Sequence, residues 1–441
     1  MDIDSLKANY DFLDILIVDL FGKLRHVSLP TSYVSEETFK RGVGFDASNL
    51  MYASLSSSDL AIVPDLNYSF NNPFTEYKTL SSFGNIYKFA NKGEMITFDD
   101  DPRLVLNKCI ELLRKSGIAY DLMVLPELEF FVFDEISYQL DPMESFYSFS
   151  SQEKSVNNGK AYHITPPGDK LNDLRSEVIK TLIDLNIKVK YHHHEVGIPG
   201  QCEIELDFEN AFKAADSIEL TKYVIKNCAN KRNMTATFIP KPIFNSPGSG
   251  MHMHMYLVNE KKESIFFDLK NDLNLSKTAM SFIGGILLHL PSLMALTNPS
   301  YNSYKRLVPG HEAPIGKNFG KGDRSSAIRI PGYTSPESTR IELRTPDATC
   351  NPYYAISAVI LAGLDGIKKD INPNDEKAIK LSTSLPRDLV NALECLDSDN
   401  DYLVDIFGKD FPEVWSKYKL EEADDCILYP TPAELETYLD Y

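Results

Sequence analysis

The sequence predicts an α+β protein in two parts, and three observations carry that expectation. Residues 1–95 read as short strands and turns. After residue 117, strand-like and helix-like runs follow one another in mixed order, which favours α+β over a doubly wound fold. Several of the strand-like runs alternate in polarity, as antiparallel strands do when one face meets solvent or a ligand.

The elements follow in order. Phe12 to Phe21 is a dense apolar run; the turn Gly22-Lys23 and the strand-like Leu24 to Pro30 complete a hairpin. A loop of small polar residues spans Asp46 to Asp59. A boundary is expected between 1–97 and 98–441, where Asp99-Asp100-Asp101-Pro102 opens a helix running from Arg103 to about Ser116. Its Leu104, Leu106, Cys109, Ile110 and Leu113 share a helical face. Leu122 to Asp134, Thr235 to Ile243 and Met251 to Val258 read as strands. Lys170 to Leu185, Ala211 to Asn230, Ser276 to Leu296 and Tyr354 to Lys368 read as helices.

Composition narrows the function. Among 441 residues, 45 Lys and Arg face 63 Asp and Glu, a net charge of −18. That balance argues against a nucleic-acid binder, which needs a basic face. The most apolar stretch, Ile283 to Leu296, is interrupted by His289 and Pro291, so no membrane span is expected. The start, Met1-Asp2-Ile3-Asp4, carries acids where a secretory signal carries bases. Six scattered cysteines form no Cys-x-x-Cys pair, so reduced thiols and a cytoplasmic location are expected. P-loop, serine-hydrolase and dinucleotide motifs are absent; Gly316 to Gly322 has the wrong spacing for the first.

The chemistry concentrates in four places. These are Glu127-Leu128-Glu129, His192-His193-His194-Glu195 with Cys202-Glu203-Ile204-Glu205, Gly248-Ser249-Gly250-Met251-His252-Met253-His254, and Arg340-Ile341-Glu342-Leu343-Arg344. On a strand, residues two apart share a face. Glu127 then points with Glu129, Glu203 with Glu205, His252 with His254, and Glu342 with both arginines. Convergent carboxylates with one imidazole suit Mg²⁺ or Mn²⁺ better than Zn²⁺. Such a cluster is tolerable when cations offset its charge. Each motif alone has a bland reading. A Glu-x-Glu is usually a solvated face, three histidines in a row cannot all face one site, and Arg340-x-Glu342-x-Arg344 could be a surface ion-pair row. Together they suit phosphoryl transfer, which needs carboxylates, cations and glycines at once.

The chain resembles the glutamine synthetase family, bacterial and archaeal type I, over nearly its whole length. The resemblance rests on Phe21 to Val27, Val43 to Ser48, Pro126 to Phe131, His193 to Ile204 and Gly248 to His252. It continues through Lys305 to Pro314, Arg324 to Pro331 and Arg340 to Tyr353. It implies an N-terminal β-grasp domain and a catalytic domain whose antiparallel sheet walls the active site. It implies one metal on Glu129, Glu195 and Glu203 and a second on Glu127, His252 and Glu342, with two to three Mg²⁺ or Mn²⁺ per site. Arg306, Arg344 and Gly248 would bind glutamate. Arg324, Arg340 and His254 would serve ATP, with Arg324 also acting in catalysis. Glu312 would close a flap, and Asp46 from a neighbouring subunit would help deprotonate ammonium. The implied assembly is a homododecamer of two hexameric rings with intersubunit sites.

Several positions depart from the family pattern: Pro247 before Gly248, Lys190 five residues before Glu195, Tyr256 after His254, and the loop Asp46-Ala47-Ser48-Asn49. None touches the six implied ligands. The resemblance implies a glutamate–ammonia ligase of nitrogen metabolism. The departures keep open a glutamate–amine ligase that makes γ-glutamyl derivatives of organic amines, and a silent scaffold is the third reading.

Overall fold

The computed structural model describes residues 2–50, 58–90, 94–153, 161–197, 199–271, 273–332, 335–336, 339–380 and 384–440. Six strands make an N-terminal sheet: β1 (Phe12–Val18), β2 (Leu24–Pro30), β3 (Val43–Asp46), β4 (Asp59–Asn71), β5 (Thr79–Phe89) and β6 (Met95–Thr97). Their order is β2-β1-β5-β4-β3, with β6 beside β5. The expected hairpin forms, pairing Phe12 with Pro30 through Val18 with Leu24. Asp19 fixes its turn: one carboxylate oxygen accepts from Phe21 N at 3.1 Å and Lys23 N at 2.8 Å. β1 pairs in parallel with β5, so the sheet is mixed. A helix absent from the sequence reading, Ile3–Asn9, precedes it, capped by Asp2 on Ser5 N. Of the polar loop Asp46 to Asp59, residues 51–57 lie outside the described residues.

The acidic cluster starts a helix as expected, Pro102–Lys115. Asp101 is its cap, accepting from Arg103 N at 3.1 Å and also from Ile86 N of β5 at 3.0 Å. One carboxylate thus caps the helix and fastens it to the N-terminal sheet. The turn after β1 is fastened too: Asn351, the cap of helix Pro352–Lys368, donates to Asp19 O and Leu20 O at 3.2 and 3.3 Å.

The remaining strands are β7 (Asp121–Phe133), β8 (Glu135–Asp141), β9 (Glu144–Ser150), β10 (Val189–His194), β11 (Gln201–Leu206), β12 (Glu209–Asn210), β13 (Thr235–Thr237), β14 (Met251–Val258), β15 (Gly316–Lys321), β16 (Ser326–Ile330) and β17 (Ile341–Leu343). β8 and β9 form a separate hairpin; the others form a sheet ordered β10-β11-β7-β14-β17-β16-β15, with β12 and β13 on β7. Its described pairings are antiparallel except β15 with β16 at the edge. The strand expected over Thr235 to Ile243 stops at Thr237, because Pro240 and Pro242 have no N–H to continue a ladder.

Helices Asn172–Asp184, Ala211–Lys231, Lys277–Thr297 and Pro352–Lys368 match the expected ones within two residues at each end. Lys277–Thr297 is long and apolar enough to cross a bilayer by length and composition. Here 89% of its most apolar window is buried inside the protein, as a core helix.

Candidate active site

Strand register assembles the site. Glu203 of β11 lies opposite Glu129 of β7, and Glu205 opposite Glu127. On the other side of β7, His252 of β14 lies opposite Glu127. His254 lies opposite Glu342 of β17, and Glu342 opposite Arg329 of β16. Side chains from five strands therefore share one face. They line a cavity of about 630 Å³. All six implied metal ligands line it, as do Gly248, His254, Arg306, Glu312, Arg324, Arg340 and Arg344. Asp46 does not: it ends β3 in the N-terminal sheet and accepts from Ser48 N at 3.0 Å and Ser48 Oγ at 2.7 Å.

Glu127 sits at the centre of one half. His252 Nδ1 lies 2.9 Å from its Oε2, and His254 Nε2 lies 2.8 Å from its Oε1. Arg340 Nε lies 3.2 Å from His254 Nδ1, the ring nitrogen turned away from Glu127. Burial alone would raise the Glu127 pKa, but the charges and hydrogen bonds of His254 and His252 outweigh it and hold it well below the usual range. Glu342 behaves alike: burial is outweighed by His254, Arg344 and His252, and its pKa falls. Arg329 and Arg344 each pair with Glu342. Donor atoms of Glu127, His254 and Glu342 lie within 4.8 Å of one another, and His252 Nδ1 lies 2.9 Å from Glu127 and 3.7 Å from Glu342.

The other half holds more acids than cations, with Lys190 paired to Glu205. Glu195, Glu203 and His193 offer donor atoms within 4.8 Å of one another, and so do Glu127, Glu203 and Glu205. Burial, then the charge of Glu129, then that of Glu203 push the Glu195 pKa well above its ordinary value. Burial, then Glu127 and Glu129, do the same to Glu203. Glu205 is almost fully buried, and its Oε2 has no hydrogen-bond partner. Crowded, buried, oxygen-rich donors short of countercharge fit a hard divalent cation.

The glycines before β14 make room for an arginine. A β-carbon on Gly250 would lie 2.4 Å from Arg306 Nη2, and one on Gly248 would lie 2.8 Å from Arg306 Cγ. In the fold it is Arg306 that approaches these glycines. Its guanidinium donates to Thr345 O at 2.8 Å and Arg344 O at 2.9 Å. Arg344 donates from Nε to Arg324 O at 3.1 Å and from Nη2 to Glu312 O at 3.2 Å. It therefore ties Glu312, whose φ is +54°, to the arginine segment.

Sequence reasoning missed His193, Arg329, Tyr162, Tyr191 and Gln201 as cavity-lining residues, and it set Glu205 on the face of Glu203 without giving it a role. Strand parity was the available signal for His193, which lies two residues before Glu195. Gln201 gave none: it is buried, accepts from Gly197 N at 2.7 Å, and reaches Gly248 O at 3.0 Å and Glu129 at 3.4 Å. Among the departures, Pro247 lines the cavity and Lys190 pairs with Glu205. Tyr256 packs edge-on against Phe208, with ring centroids 5.0 Å apart.

The model of the glutamine synthetase β-grasp domain matches residues 9–89, and that of the glutamine synthetase catalytic domain matches residues 99–438. A glutamine synthetase of Frankia alni is 38% identical, over 97% of this chain and 96% of its own. One of Aquifex aeolicus is 36% identical, over 98% and 97%. Among solved structures, Plasmodium falciparum glutamine synthetase superimposes with a TM-score of 0.91 at 26% identity, covering 99% of both chains. A structure described as ligand-free GmaS gives 0.83 at 26% identity, over 100% of this chain and 99% of that one.

Proposed function

The chain belongs to the glutamine synthetase family, and from that premise we propose that it joins glutamate to ammonia at the expense of ATP. The observation that carries the reading is the single cavity in which seven carboxylates, four histidines and five arginines meet. A carboxylate is a poor electrophile, so ATP first phosphorylates the glutamate side chain, and the amine then displaces phosphate from the γ-glutamyl phosphate.

The residues divide this work. Arg306 and Arg344 face the glutamate carboxylates. Arg324, Arg340 and Arg329 stabilise the charge that moves during phosphoryl transfer. The two carboxylate groups, around Glu127 and Glu203, would hold two to three Mg²⁺ or Mn²⁺ ions. Such ions offset the phosphate charge when bound. Glu312 stands where a flap would exclude water from the acyl phosphate. Asp46, remote from the cavity of its own chain, would serve a neighbour's. That placement supports an assembly with shared sites; the resemblance to the family, not the placement, is what suggests a homododecamer of two hexameric rings in a cytoplasmic setting. The division at residue 97 separates the domain that lends Asp46 from the domain that holds the metals.

The test is purified protein with ATP, Mg²⁺, glutamate and ammonium. Glutamine and phosphate should appear in equal amounts; no phosphate above background rejects the reading. Pro247, which lines the cavity without a side-chain amide or an N–H, favours a second acceptor class, organic amines. A kcat/KM tenfold higher for methylamine, ethanolamine or a polyamine than for ammonium would select it.

A further inference from the structure

Glu153 lies outside the cavity, yet its carboxylate holds the hairpin that carries Glu195 and Glu203. Its Oε2 accepts from Gly200 N at 2.8 Å and lies 3.0 Å from His194 Nε2. Its Oε1 accepts from Lys170 N at 3.1 Å. Both acidic and imidazole side chains are nearly sealed from solvent. His194 passes the restraint on: its Nδ1 lies 2.6 Å from Glu195 O. With both ring nitrogens facing acceptors, the ring is a donor at each end. Gly200 passes it the other way, since β11, which carries Glu203, begins at the next residue. Gly200 is itself anchored: its O accepts from Val132 N at 2.9 Å, and with φ at +85° and a β-carbon 2.3 Å from Val132 O no larger residue fits there.

We propose that Glu153 is a positioning residue for the Glu195–Glu203 cation site, acting through His194 on one ligand and through Gly200 on the other. The proposal rests on the metal reading given above. Three donors converge on the two oxygens of Glu153. An amide in its place turns one acceptor into a donor and sets at least one N–H against another. The hairpin then loses its register behind the cavity, while the Glu127 group, held by β14 and β17, keeps its own partners. Groups behind metal ligands typically change affinity 10–100-fold when altered.

The experiment titrates metal-free protein with Mn²⁺, followed by the paramagnetic resonance of the free ion. The proteins are wild type, E153Q, H194Q, the double variant, and H289Q as a control for a buried pair far from the cavity. Thermal unfolding is recorded for each. E153Q and H194Q should each weaken one class of Mn²⁺ site about tenfold and leave the other unchanged. The double variant should lose no more than the worse single one, because the two act in series. H289Q should melt earlier with unaltered Mn²⁺ affinity. If E153Q does not fold, H194Q reads out the same relay. Wild-type affinity in both single variants overturns the proposal and leaves the metal reading intact, as does equal weakening at every site in step with melting temperature. Wild type that binds no Mn²⁺ overturns both.

Discussion

Gly285 and Gly366 bring two buried helices into backbone contact. A β-carbon on Gly366 would lie 2.5 Å from Gly285 Cα and 2.2 Å from Ser281 O; one on Gly285 would lie 2.1 Å from Ala362 O. The obstructing atoms are backbone and cannot swing aside. G285A and G366A should each destabilise the protein by about 3 kcal/mol, the upper part of the overpacking range, even though alanine has the higher helix propensity. Denaturant unfolding checks this; a change under 1 kcal/mol would mean that the helices separate at little cost.

That crossing marks a limit of sequence reading. Lys277–Thr297 and Pro352–Lys368 were legible as helices because they are long and periodic, but which faces meet depends on two glycines 81 positions apart. The same division runs through the site. Glu127 with Glu129 and His252 with His254 were legible from parity alone. That Glu342 would meet Arg329 and that Gln201 would reach Glu129 depended on register between distant strands. Ile3–Asn9 escaped notice because two turns capped by one aspartate leave little periodic signal. Glu153 escaped because its partners lie 17 to 47 residues away and none is a site residue.

His289 gives a stability test with a fixed sign. Its Nε2 lies 2.9 Å from Asp365 and its Nδ1 2.9 Å from Asp399, and the ring stacks on Tyr402. Burial lowers its pKa, but the bonds to Asp365 and Asp399 outweigh burial and raise it above the ordinary value. A raised folded pKa means that the imidazolium contributes fully below the unfolded pKa and that this is lost as pH rises through the folded one. H289Q should cost about 2 kcal/mol at pH 6, less than a fully buried pair because Asp399 is partly exposed. The deficit should shrink by pH 9. Melting curves of both proteins across that range decide it, and a deficit that grows with pH refutes the assignment.

Gly250 offers a separable test of the glutamate site. Its missing β-carbon is where Arg306 Nη2 passes, and the same β-carbon would lie 3.0 Å from His252 Nε2. G250A should displace the guanidinium while the strand behind it stays paired. The expected result is a kcat/KM for glutamate about 100-fold lower, the scale of a misplacement near 1 Å, with melting temperature nearly unchanged. A KM for glutamate within twofold of wild type would release Arg306 from that role.

Metal removal should leave a proton signature. Burial, then Glu129 and Glu203, raise the Glu195 pKa; burial, then Glu127 and Glu129, raise that of Glu203. In metal-free protein these groups bind protons more readily folded than unfolded. Their destabilising effect is therefore complete above the raised values and fades as pH falls toward the ordinary glutamate range. A bound divalent ion needs both carboxylates ionised, so its binding releases protons and tightens with rising pH. The melting temperature of chelated wild type, taken relative to the E195Q/E203Q double variant, should rise as pH falls from 8.5 to 6. Over the same range, the gain in melting temperature from saturating Mg²⁺ should shrink. At 100 times Kd, a single Mg²⁺ contributes about 2.7 kcal/mol, enough to resolve in both curves. A Mg²⁺ effect that grows as pH falls would mean that the ion binds groups other than these buried glutamates.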